Sequence, residues 1–238
     1  MYLYGKNSVS ERLKKNPKSI HTVFLEDKFN DTDIERLIKS SGINIRRLPQ
    51  NKLSEIKRSS NPQGIIAEVD NFKYSDFDEL LSEGLDKNDV LIFLDRVYDP
   101  QNLGAIMRNA ACFGGFSIVI PRHKACEVNE TALHVACGAE NYVKVAMVSN
   151  VSNAAIAAKK KGFWIMGAVL DSSAKDLAAV SIPFPLGVVL GSEGEGVRYG
   201  VEKHIDIKAK IPMHGVSLSY NVSMASAIFC YEINKQKK

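Results

Sequence analysis

The chain has 238 residues, of which 45% are hydrophobic and 24% charged, a composition typical of a globular protein with a sizeable core. No apolar run approaches the roughly 18 residues of a membrane-spanning helix, and the start lacks the apolar stretch of a signal peptide. We therefore expect a cytoplasmic protein with no membrane partner. The four cysteines form no C-x-x-C pair and no metal-binding spacing with histidine. We expect them to be reduced and structural, and we expect no metal site.

The net charge of +4 is unevenly distributed. Residues 1–73 carry 14 Lys and Arg against 9 Asp and Glu, a balance of +5, whereas residues 74–238 carry 17 against 18, a balance of −1. This excess favours a phosphate-backbone partner for the first third of the chain. A merely solubilising surface explains it equally well at this stage.

The first third alternates between helical and extended patterns. The predicted elements, in order, are a helix over Ser10–Lys15, a strand over Thr22–Leu25, a helix over Asp31–Ser40 capped by Asp31 or Thr32, a strand over Asn44–Leu48, a helix over Lys52–Arg58 and a strand over Gly64–Val69. We predict a small α/β domain over residues 1–73 and a linker with a short helix over residues 74–88.

From residue 89 the chain becomes richer in continuous apolar runs. Such runs are typical of strands that are buried on both faces of a parallel sheet. The predicted strands are Val90–Leu94, Phe116–Ile120, Val143–Val148, Phe163–Leu170, Leu186–Leu190 and Ile205–Ile211, and the predicted helices cover about Asn129–Cys137, Asn153–Lys161 and the residues from Asn221 onward. Residues 89–238 are therefore predicted to form one parallel α/β domain.

The first strand of this domain leads into a loop with unusual polar residues. Asn102 is predicted to cap the following helix, and Gly104 permits close approach of a backbone or a ligand. Arg108 stands one helical turn beyond Gly104, and its planar guanidinium suits a phosphate or a carboxylate. The small neighbours Ala105 and Ala111 leave room for Arg108 to lie inward; a surface arginine is the alternative.

Two further loops follow later strands, where α/β sheets usually bind ligands. Residues 191–196 have glycines spaced G-x-x-G-x-G, which is not the dinucleotide fingerprint, so we reject NAD. Glu193 in this loop could accept a hydrogen bond from a ligand or orient Arg108. Ser219, Asn221 and Ser223 gather at a helix start, where free N–H groups could hold a polar or anionic ligand; an ordinary capped helix is the alternative.

Together the three loops resemble the three sequence motifs of the SpoU (TrmH-like) family of RNA ribose 2′-O-methyltransferases. The matching runs are Asn102-x-Gly104-x-x-x-Arg108, Leu190-Gly-Ser-Glu193-Gly-Glu-Gly, and Ile211-Pro-Met with Ser219-Tyr-Asn221-Val-Ser. The first segment, from Tyr4-Gly-Lys-Asn-Ser-Val to Asn61-Pro-Gln-Gly-Ile-Ile-Ala67, resembles the substrate-binding domain of the RlmB-like subgroup. Tyr220 stands where the third motif usually has Leu.

The resemblance implies a fold and a chemistry. The fold is a parallel-sheet knotted (SPOUT, trefoil knot) methyltransferase domain preceded by a small α/β ribosomal-protein-like substrate-binding domain. The implied cofactor is S-adenosylmethionine, held by the backbone at Gly191, Ile211 and Tyr220, and the implied assembly is a homodimer. The implied catalytic residues are Asn102, Arg108, Glu193, Ser219 and Asn221.

The roles of these residues follow from the resemblance and from their chemistry. A guanidinium resists deprotonation, so Arg108 is expected to clamp a phosphate and hold the ribose 2′-hydroxyl rather than act as the base. Glu193 and Asn102 are expected to fix Arg108 and its loop. Ser219 and Asn221 are expected to contact ribose or phosphate and to shape the methionine pocket.

The leading hypothesis is 2′-O-methylation of a ribose in rRNA, with a guanosine of the large-subunit 23S rRNA as the target. A tRNA ribose 2′-O-methyltransferase is the nearest alternative. A catalytically inactive RNA-binding protein and a small-molecule-binding α/β protein are the others. DNA is not an expected partner.

Overall fold

A computed structural model describes residues 1–57, 62–192, 194–216 and 218–237, and the strands of these residues form two sheets. The strands of the first sheet are β1 (Tyr2–Tyr4), β2 (Ile20–Glu26), β3 (Asn44–Leu48) and β4 (Ile65–Val69), in the order β1-β4-β2-β3. The helices beside it are α1 (Lys6–Lys15), α2 (Thr32–Ser41) and α3 (Gln50–Ile56). Strand β4 runs antiparallel to β1 and β2, whereas β2 and β3 are parallel.

The start of this unit differs from the sequence prediction. Helix α1 begins at Lys6 rather than Ser10 because Gly5, with φ of 92°, turns the chain directly out of the unpredicted three-residue strand β1. Helix α2 is capped by Asp31, whose side chain accepts a hydrogen bond from the backbone N–H of Ile34. Helix α3 begins earlier than predicted, at Gln50, and Arg58, its predicted end, lies outside the described residues.

The second sheet contains, among the described residues, seven strands whose neighbouring pairs are all parallel. They are β5 (Val90–Asp95), β6 (Phe116–Pro121), β7 (Val145–Val148), β8 (Trp164–Ala168), β9 (Lys175–Asp176), β10 (Leu186–Gly191) and β11 (Ile207–Lys210), in the order β7-β6-β5-β10-β8-β11-β9. The predicted parallel α/β domain is confirmed. The short strand β9 was not predicted.

Helices cover both faces of this sheet. They are α4 (Phe77–Lys87), α5 (Pro100–Phe113), α6 (Glu130–Ala136), α7 (Val151–Lys160), α8 (Tyr199–Glu202) and α9 (Val222–Gln236). Val90, Ile92 and Leu94 of β5 belong to the core under α5 and α9, whereas Leu91 and Phe93 belong to the core under α4 and α7. Burial on both faces explains why β5 reads as an uninterrupted apolar run. The four-residue helix α8 was not predicted.

Helix α5 does not begin where the sequence suggested. Asp99 is its cap, because the Asp99 carboxylate accepts a hydrogen bond from the N–H of Gln101 (2.8 Å) and Pro100 occupies the first helical position. The prediction that Asn102 caps this helix is therefore wrong. Asn102 lies within the first turn and is buried.

The chain takes a long path after β10. It forms α8, crosses to β11 on the far side of β8, and then returns so that α9 packs against α5 and β10. This is the return path that the predicted trefoil knot requires. It also brings Ile211, Ser219 and Tyr220 to the carboxyl ends of the strands.

The two units are in direct contact. The ring of Tyr4 stacks on His134 of α6 at 4.0 Å between centroids, and the N–H of Tyr2 donates to the Glu130 carboxylate (2.7 Å). Arg12 of α1 forms an ion pair with Glu140 (3.2 Å). The packing of the N-terminal unit on α6 therefore sets its position, while the domain bounds 1–73, 74–88 and 89–238 stay predictions.

The cysteines only partly match the expectation that they are reduced and structural. All four cysteines are free; burial raises the pKa of Cys230 to about 12, but Cys112 is exposed, so the prediction that every thiol serves packing is wrong for Cys112. Within the described ranges, no helix has the length and apolar character to cross a membrane, and no cluster of His, Cys, Asp or Glu could hold a metal ion.

Helix α5 packs tightly against α6 at Gly104. A Cβ atom at this position would lie 2.4 Å from the carbonyl oxygen of Ala132 and 2.8 Å from the Cβ of Val135, both in α6. These distances are too short for any side chain, so glycine is what allows α5 and α6 to touch. The close approach predicted for Gly104 is thus to a backbone.

We expect Gly104→Ala to lower the free energy of unfolding by roughly 1–3 kcal/mol, because overpacking forces the two helices apart. This loss would exceed the gain of about 1 kcal/mol from the better helix propensity of alanine. Chemical denaturation measures the change. Gly200→Ala is the matched control, since a Cβ there would meet no atom within 4 Å; equal stability of the two variants would contradict the close contact.

Candidate active site and cofactor cleft

A cleft of about 490 Å³ opens at the carboxyl ends of β8, β10 and β11, and the start of α9 closes one side. Gly191, Ile211 and Tyr220, the three predicted cofactor positions, line this cleft together with Ser219. Its apolar wall comes from Leu190, Ala209, Val222, Ala225 and Phe229. The cleft lies beside the point where the strand order reverses, between β5 and β10, which is where α/β sheets bind ligands.

The loop after β10 folds tightly upon itself. The N–H of Ser192 donates to the carbonyl of Gly196 (3.2 Å), and the N–H of Gly196 donates back to the carbonyl of Ser192 (2.9 Å). A Cβ atom on Gly191 would lie 2.1 Å from the carbonyl carbon of Gly196. The glycines therefore let backbone atoms form this wall of the cleft. Glu193, predicted to be catalytic, lies outside the described residues.

Asn221 joins the start of α9 to the start of α5. Its Oδ1 accepts hydrogen bonds from the N–H of Ser223 (2.9 Å) and from the Ser223 hydroxyl (2.6 Å), so Asn221 is the helix cap. Its Nδ2 donates to Oδ1 of the buried Asn102 (3.0 Å). Two of the predicted catalytic residues are thus in direct contact.

A second amide, that of Asn109, strengthens the same helix contact two helical turns further along α5. Nδ2 of Asn109 donates to the carbonyl of Ser223 (2.8 Å) and to the hydroxyl of Ser226 (2.8 Å). The Ser226 hydroxyl in turn donates to the Ser223 carbonyl (2.7 Å). These bonds satisfy polar groups at a packed helix contact, where an unmade hydrogen bond is costly. The sequence analysis assigned no role to Asn109.

Arg108 lies elsewhere on α5. It is exposed, and its Nη1 points toward Sγ of Cys137 at 3.7 Å. The prediction that Arg108 lies inward is wrong, because Met107 and Ala110 occupy the buried face of α5 at this level. Arg108 is not among the residues that line the cleft within the described part of its own chain. Its guanidinium is therefore available to a molecule bound on the outside of the domain.

Asp95 and Arg198 form an anchor that the sequence prediction missed. Asp95 is fully buried at the end of β5; its carboxylate accepts hydrogen bonds from the Arg198 backbone N–H (2.9 Å) and from Arg198 Nε (2.8 Å). The hydrogen bond that Arg198 donates to the Asp95 carboxylate raises the pKa of Arg198. This pair ties the segment after the glycine loop to β5. The signal in the sequence was an aspartate that ends an otherwise apolar run.

A second ion pair joins the end of β5 to the glycine loop. Arg96 has φ of 65°, a left-handed conformation that non-glycine residues rarely adopt. Its guanidinium pairs with Glu195 of the glycine loop. The loop that lines the cleft is thereby connected to the end of β5 at two successive residues.

Asp171 supplies a charged group at the rim of the cleft. A hydrogen bond from Lys208 (2.7 Å) lowers the pKa of Asp171 to about 2, so this carboxylate is ionised at neutral pH. Lys208 also donates to Glu202 (2.6 Å), another residue of the cleft. Sequence reasoning missed these residues, although a polar Asp-Ser-Ser run follows the predicted strand.

The cleft fits S-adenosylmethionine in size and in chemistry. Small-ligand pockets commonly have volumes of about 300–1,000 Å³ and a mainly apolar lining with a few polar groups. Here the apolar wall suits an adenine ring, Gly191 and Gly196 present backbone rather than side chains, and the Asp171 and Glu202 carboxylates can accept hydrogen bonds from ribose hydroxyls. The residues present therefore match the cofactor that the sequence resemblance implied.

Comparison with known proteins gives the same assignment. The sequence matches the SpoU rRNA methylase family over residues 89–231 and RNA 2′-O ribose methyltransferase substrate binding over residues 2–75. It is 35% identical to the 23S rRNA (guanosine-2′-O-)-methyltransferase RlmB of Photobacterium profundum, with 99% of this chain and 98% of that protein covered. It is 34% identical to YacO of Bacillus subtilis, named as a TrmH family tRNA/rRNA methyltransferase, with 99% and 96% covered.

A solved structure shares the fold. The SpoU methyltransferase AviRb from Streptomyces viridochromogenes, in complex with the cofactor AdoMet, superposes with a TM-score of 0.81 at 18% identity, over 99% of this chain and 90% of that one. The family match covers most of the chain, and it includes all three loops that meet at the cleft and at the start of α9. This chain belongs to the SpoU rRNA methylase family.

Proposed function

We propose that this protein transfers the methyl group of S-adenosylmethionine to a ribose 2′-hydroxyl of rRNA, with a guanosine of 23S rRNA as the target. The observation that carries the proposal is one cleft that brings together the predicted cofactor positions of two motifs, next to the Asn102–Asn221 contact. The substrate-binding match over residues 2–75 supports an RNA substrate. The full-length relative named as a 23S rRNA guanosine-2′-O-methyltransferase supports the choice of rRNA.

The chain's own residues would hold the cofactor mainly through their backbone. Gly191, Ile211 and Tyr220 would contribute backbone groups, while Leu190 and Phe229 would contact the adenine ring. S-adenosylmethionine supplies a methyl group on a positively charged sulfur, which a hydroxyl oxygen can attack. Because a backbone-lined wall depends little on side-chain identity, Tyr220 is compatible with a position that usually holds Leu.

The remaining predicted residues would act on the RNA. Arg108 would hold the phosphate beside the target ribose, since a guanidinium stays charged and offers a fork of donors. Ser219, at the mouth of the cleft, would contact the ribose. Asn102 and Asn221 would fix the mouth of the cleft through their mutual hydrogen bond. Correct placement of the hydroxyl then supplies much of the rate gain.

We also propose a homodimer formed through α5 and α9. Met224 and Tyr231 of α9 are large apolar residues with 62% and 58% of their surface exposed, and the Tyr231 ring contacts Phe113 at the end of α5. Arg108 and Cys112, four residues apart, share an exposed face of α5. A second copy would cover this apolar surface and place Arg108 at the interface. Sedimentation equilibrium that gives the monomer mass would contradict the dimer.

The alternatives account for less of the molecule. A tRNA substrate is compatible with the cleft but gives no reason for the substrate-binding unit over residues 2–75. An inactive RNA-binding protein would not need to keep the Asn102–Asn221 contact and the tight glycine loop. A cytoplasmic location would follow from an rRNA substrate.

Methyl transfer can be measured directly. We expect purified protein, labelled S-adenosylmethionine and rRNA from a strain that lacks the modification to give label on a ribose 2′-oxygen of the 23S rRNA. Nuclease mapping locates the nucleotide. Transfer only to tRNA would support the alternative substrate, whereas transfer to a base, or to no RNA, would refute the proposed reaction.

Arg108→Ala should reduce methyl transfer by about 100-fold or more, the usual scale for loss of one preorganised charged group. Cofactor binding should stay within about twofold, because Arg108 does not line the cleft of its own chain. Arg36→Ala is the matched control, since Arg36 is an exposed arginine on α2 with a surface ion pair. If both variants keep full activity, Arg108 has no part in the reaction.

Asp95→Asn should weaken the anchor between β5 and the segment after the glycine loop. Hydrogen bonds to charged groups contribute roughly 1.5–3 kcal/mol, so we expect a comparable loss of stability. We also expect an increase of about fivefold or more in the Kd of S-adenosylmethionine, measured by calorimetry, because the loop lines the cleft. Asp33→Asn, at an exposed aspartate, controls for the charge change; an unaltered Kd in Asp95→Asn would show that this anchor does not shape the cleft.

A further inference from the structure

A second cleft, of about 560 Å³, lies between the two units of the molecule. Its walls come from the end of α1, from the turn over residues 17–19, from the segment 70–73 that leaves β4, and from residues 140–141 of the second unit. Neither the family motifs nor the proposed mechanism uses these residues. The residues that line this cleft are mostly polar or charged, whereas those that line the cofactor cleft are largely apolar.

The floor of this cleft is a buried ion pair. The side chains of Arg12 and Glu140 are 9% and 0% exposed, and Arg12 Nη2 donates to Glu140 Oε1 at 3.2 Å. Arg12 Nη1 donates to the Ser19 hydroxyl (3.2 Å), and Asn141 Nδ2 donates to Glu140 Oε1 (3.2 Å). Arg12 Nε and Glu140 Oε2 have no hydrogen-bond partner among the described residues.

The rim of the cleft is basic. Lys15, Lys18 and Lys73 are exposed, come from three different segments, and have no carboxylate within 4.0 Å in the described part of the chain. The cleft contains two carboxylates, and each has a partner: Asp70 accepts a hydrogen bond from His21 (2.8 Å), and Glu140 pairs with Arg12. Burial raises the pKa of Glu140, and the neighbouring Arg12 guanidinium opposes that shift. The electrostatic balance of the cleft therefore favours an anion.

An aromatic side chain and several amides complete the lining. Phe72 is half-buried, with its ring in edge contact with Tyr74 at 5.1 Å between centroids. Asn16 and Asn71 are exposed on the same walls. Cations for phosphates, an aromatic ring for stacking and amides for base edges are the combination with which proteins bind single-stranded nucleic acid.

We infer that this cleft binds a single-stranded, phosphodiester-linked segment of the RNA substrate, with phosphates on Lys15, Lys18 and Lys73 and a base against Phe72. The inference rests on the proposed RNA substrate and identifies a second place where the protein holds it. Because residues of both units form the cleft, one RNA segment bound there contacts both units at once. Both units would therefore fix the position of the RNA, and not the N-terminal unit alone.

The test compares two triple variants of the full-length protein that remove the same charge. The cleft variant is Lys15→Gln, Lys18→Gln and Lys73→Gln; the control variant is Lys160→Gln, Lys161→Gln and Lys203→Gln, at exposed lysines outside both the cleft and the N-terminal unit. Filter binding to single-stranded and duplex fragments of rRNA, at several salt concentrations, gives the Kd and its salt slope.

We expect the cleft variant to bind single-stranded RNA at least about tenfold more weakly at 0.1 M salt, with a salt slope smaller by about 2, since each phosphate contact on a single strand contributes about 0.7. The control should stay within about twofold of the wild type. Phe72→Leu should weaken binding about fivefold or more without a change in salt slope, because stacking contributes without counterion release.

Three outcomes would overturn the inference: equal weakening of the cleft and control variants, unchanged binding of the cleft variant, or equal loss on duplex and single-stranded RNA. Displacement of RNA by inorganic phosphate at matched ionic strength would show a free-anion site instead. Displacement by an acidic peptide would show a protein-binding site. The proposed reaction and the proposed RNA cleft are tested by different measurements. If the reaction is wrong, the wild-type protein will transfer no methyl group, whatever the variants show in RNA binding.

Discussion

The organisation of the molecule depends on how closely its neighbours approach α5. On one side, Gly104 lets α6 approach until its backbone carbonyl occupies the space of a side chain. On the other, the amides of Asn102 and Asn109 bond to the first turns of α9. Since α6 also carries the N-terminal unit, through His134 and Glu130, α5 connects the substrate-binding unit to the helix that closes the cofactor cleft. A small displacement of α5 would therefore disturb both.

Much of the fold could be predicted from the sequence because its signals are local. The apolar runs of β5, β6 and β10 indicate strands that are buried on both faces, and Asp31 indicates the start of a helix. The failures are also local in origin. Strands β1 and β9 and helix α8 have at most four residues, too few to establish a period. Both Asp99, just before Pro100, and Asn102, shortly after it, are residue types that cap helices. The prediction chose Asn102, whereas Asp99 is the cap of α5.

The candidate site was predictable as a set of loops but not as an arrangement. Motif order could indicate that Gly191, Ile211 and Tyr220 meet at one cleft, because parallel strands end at one edge. The direction of Arg108 could not be inferred, since it depends on which face of α5 is covered by helices distant in sequence. The Arg12–Glu140 pair joins residues 128 apart, and the Asp95–Arg198 pair joins residues 103 apart. The aspartate at the end of the apolar run marks Asp95 as unusual, but no local signal identifies the distant partner of either pair.

The return of α9 to α5 has a consequence for the order of folding. The hydrogen bond from Asn109 to Ser226 spans 117 residues, and contacts of such long sequence separation form late because their loop-closure entropy must first be overcome. Strands β5 and β10 also pair over a long sequence separation, as Leu91 with Gly187, but the cleft has no closing wall until α9 docks as well. We expect a partly folded chain to have a sheet and a core yet no affinity for the cofactor. We therefore expect affinity for the cofactor only in a chain in which α9 has docked.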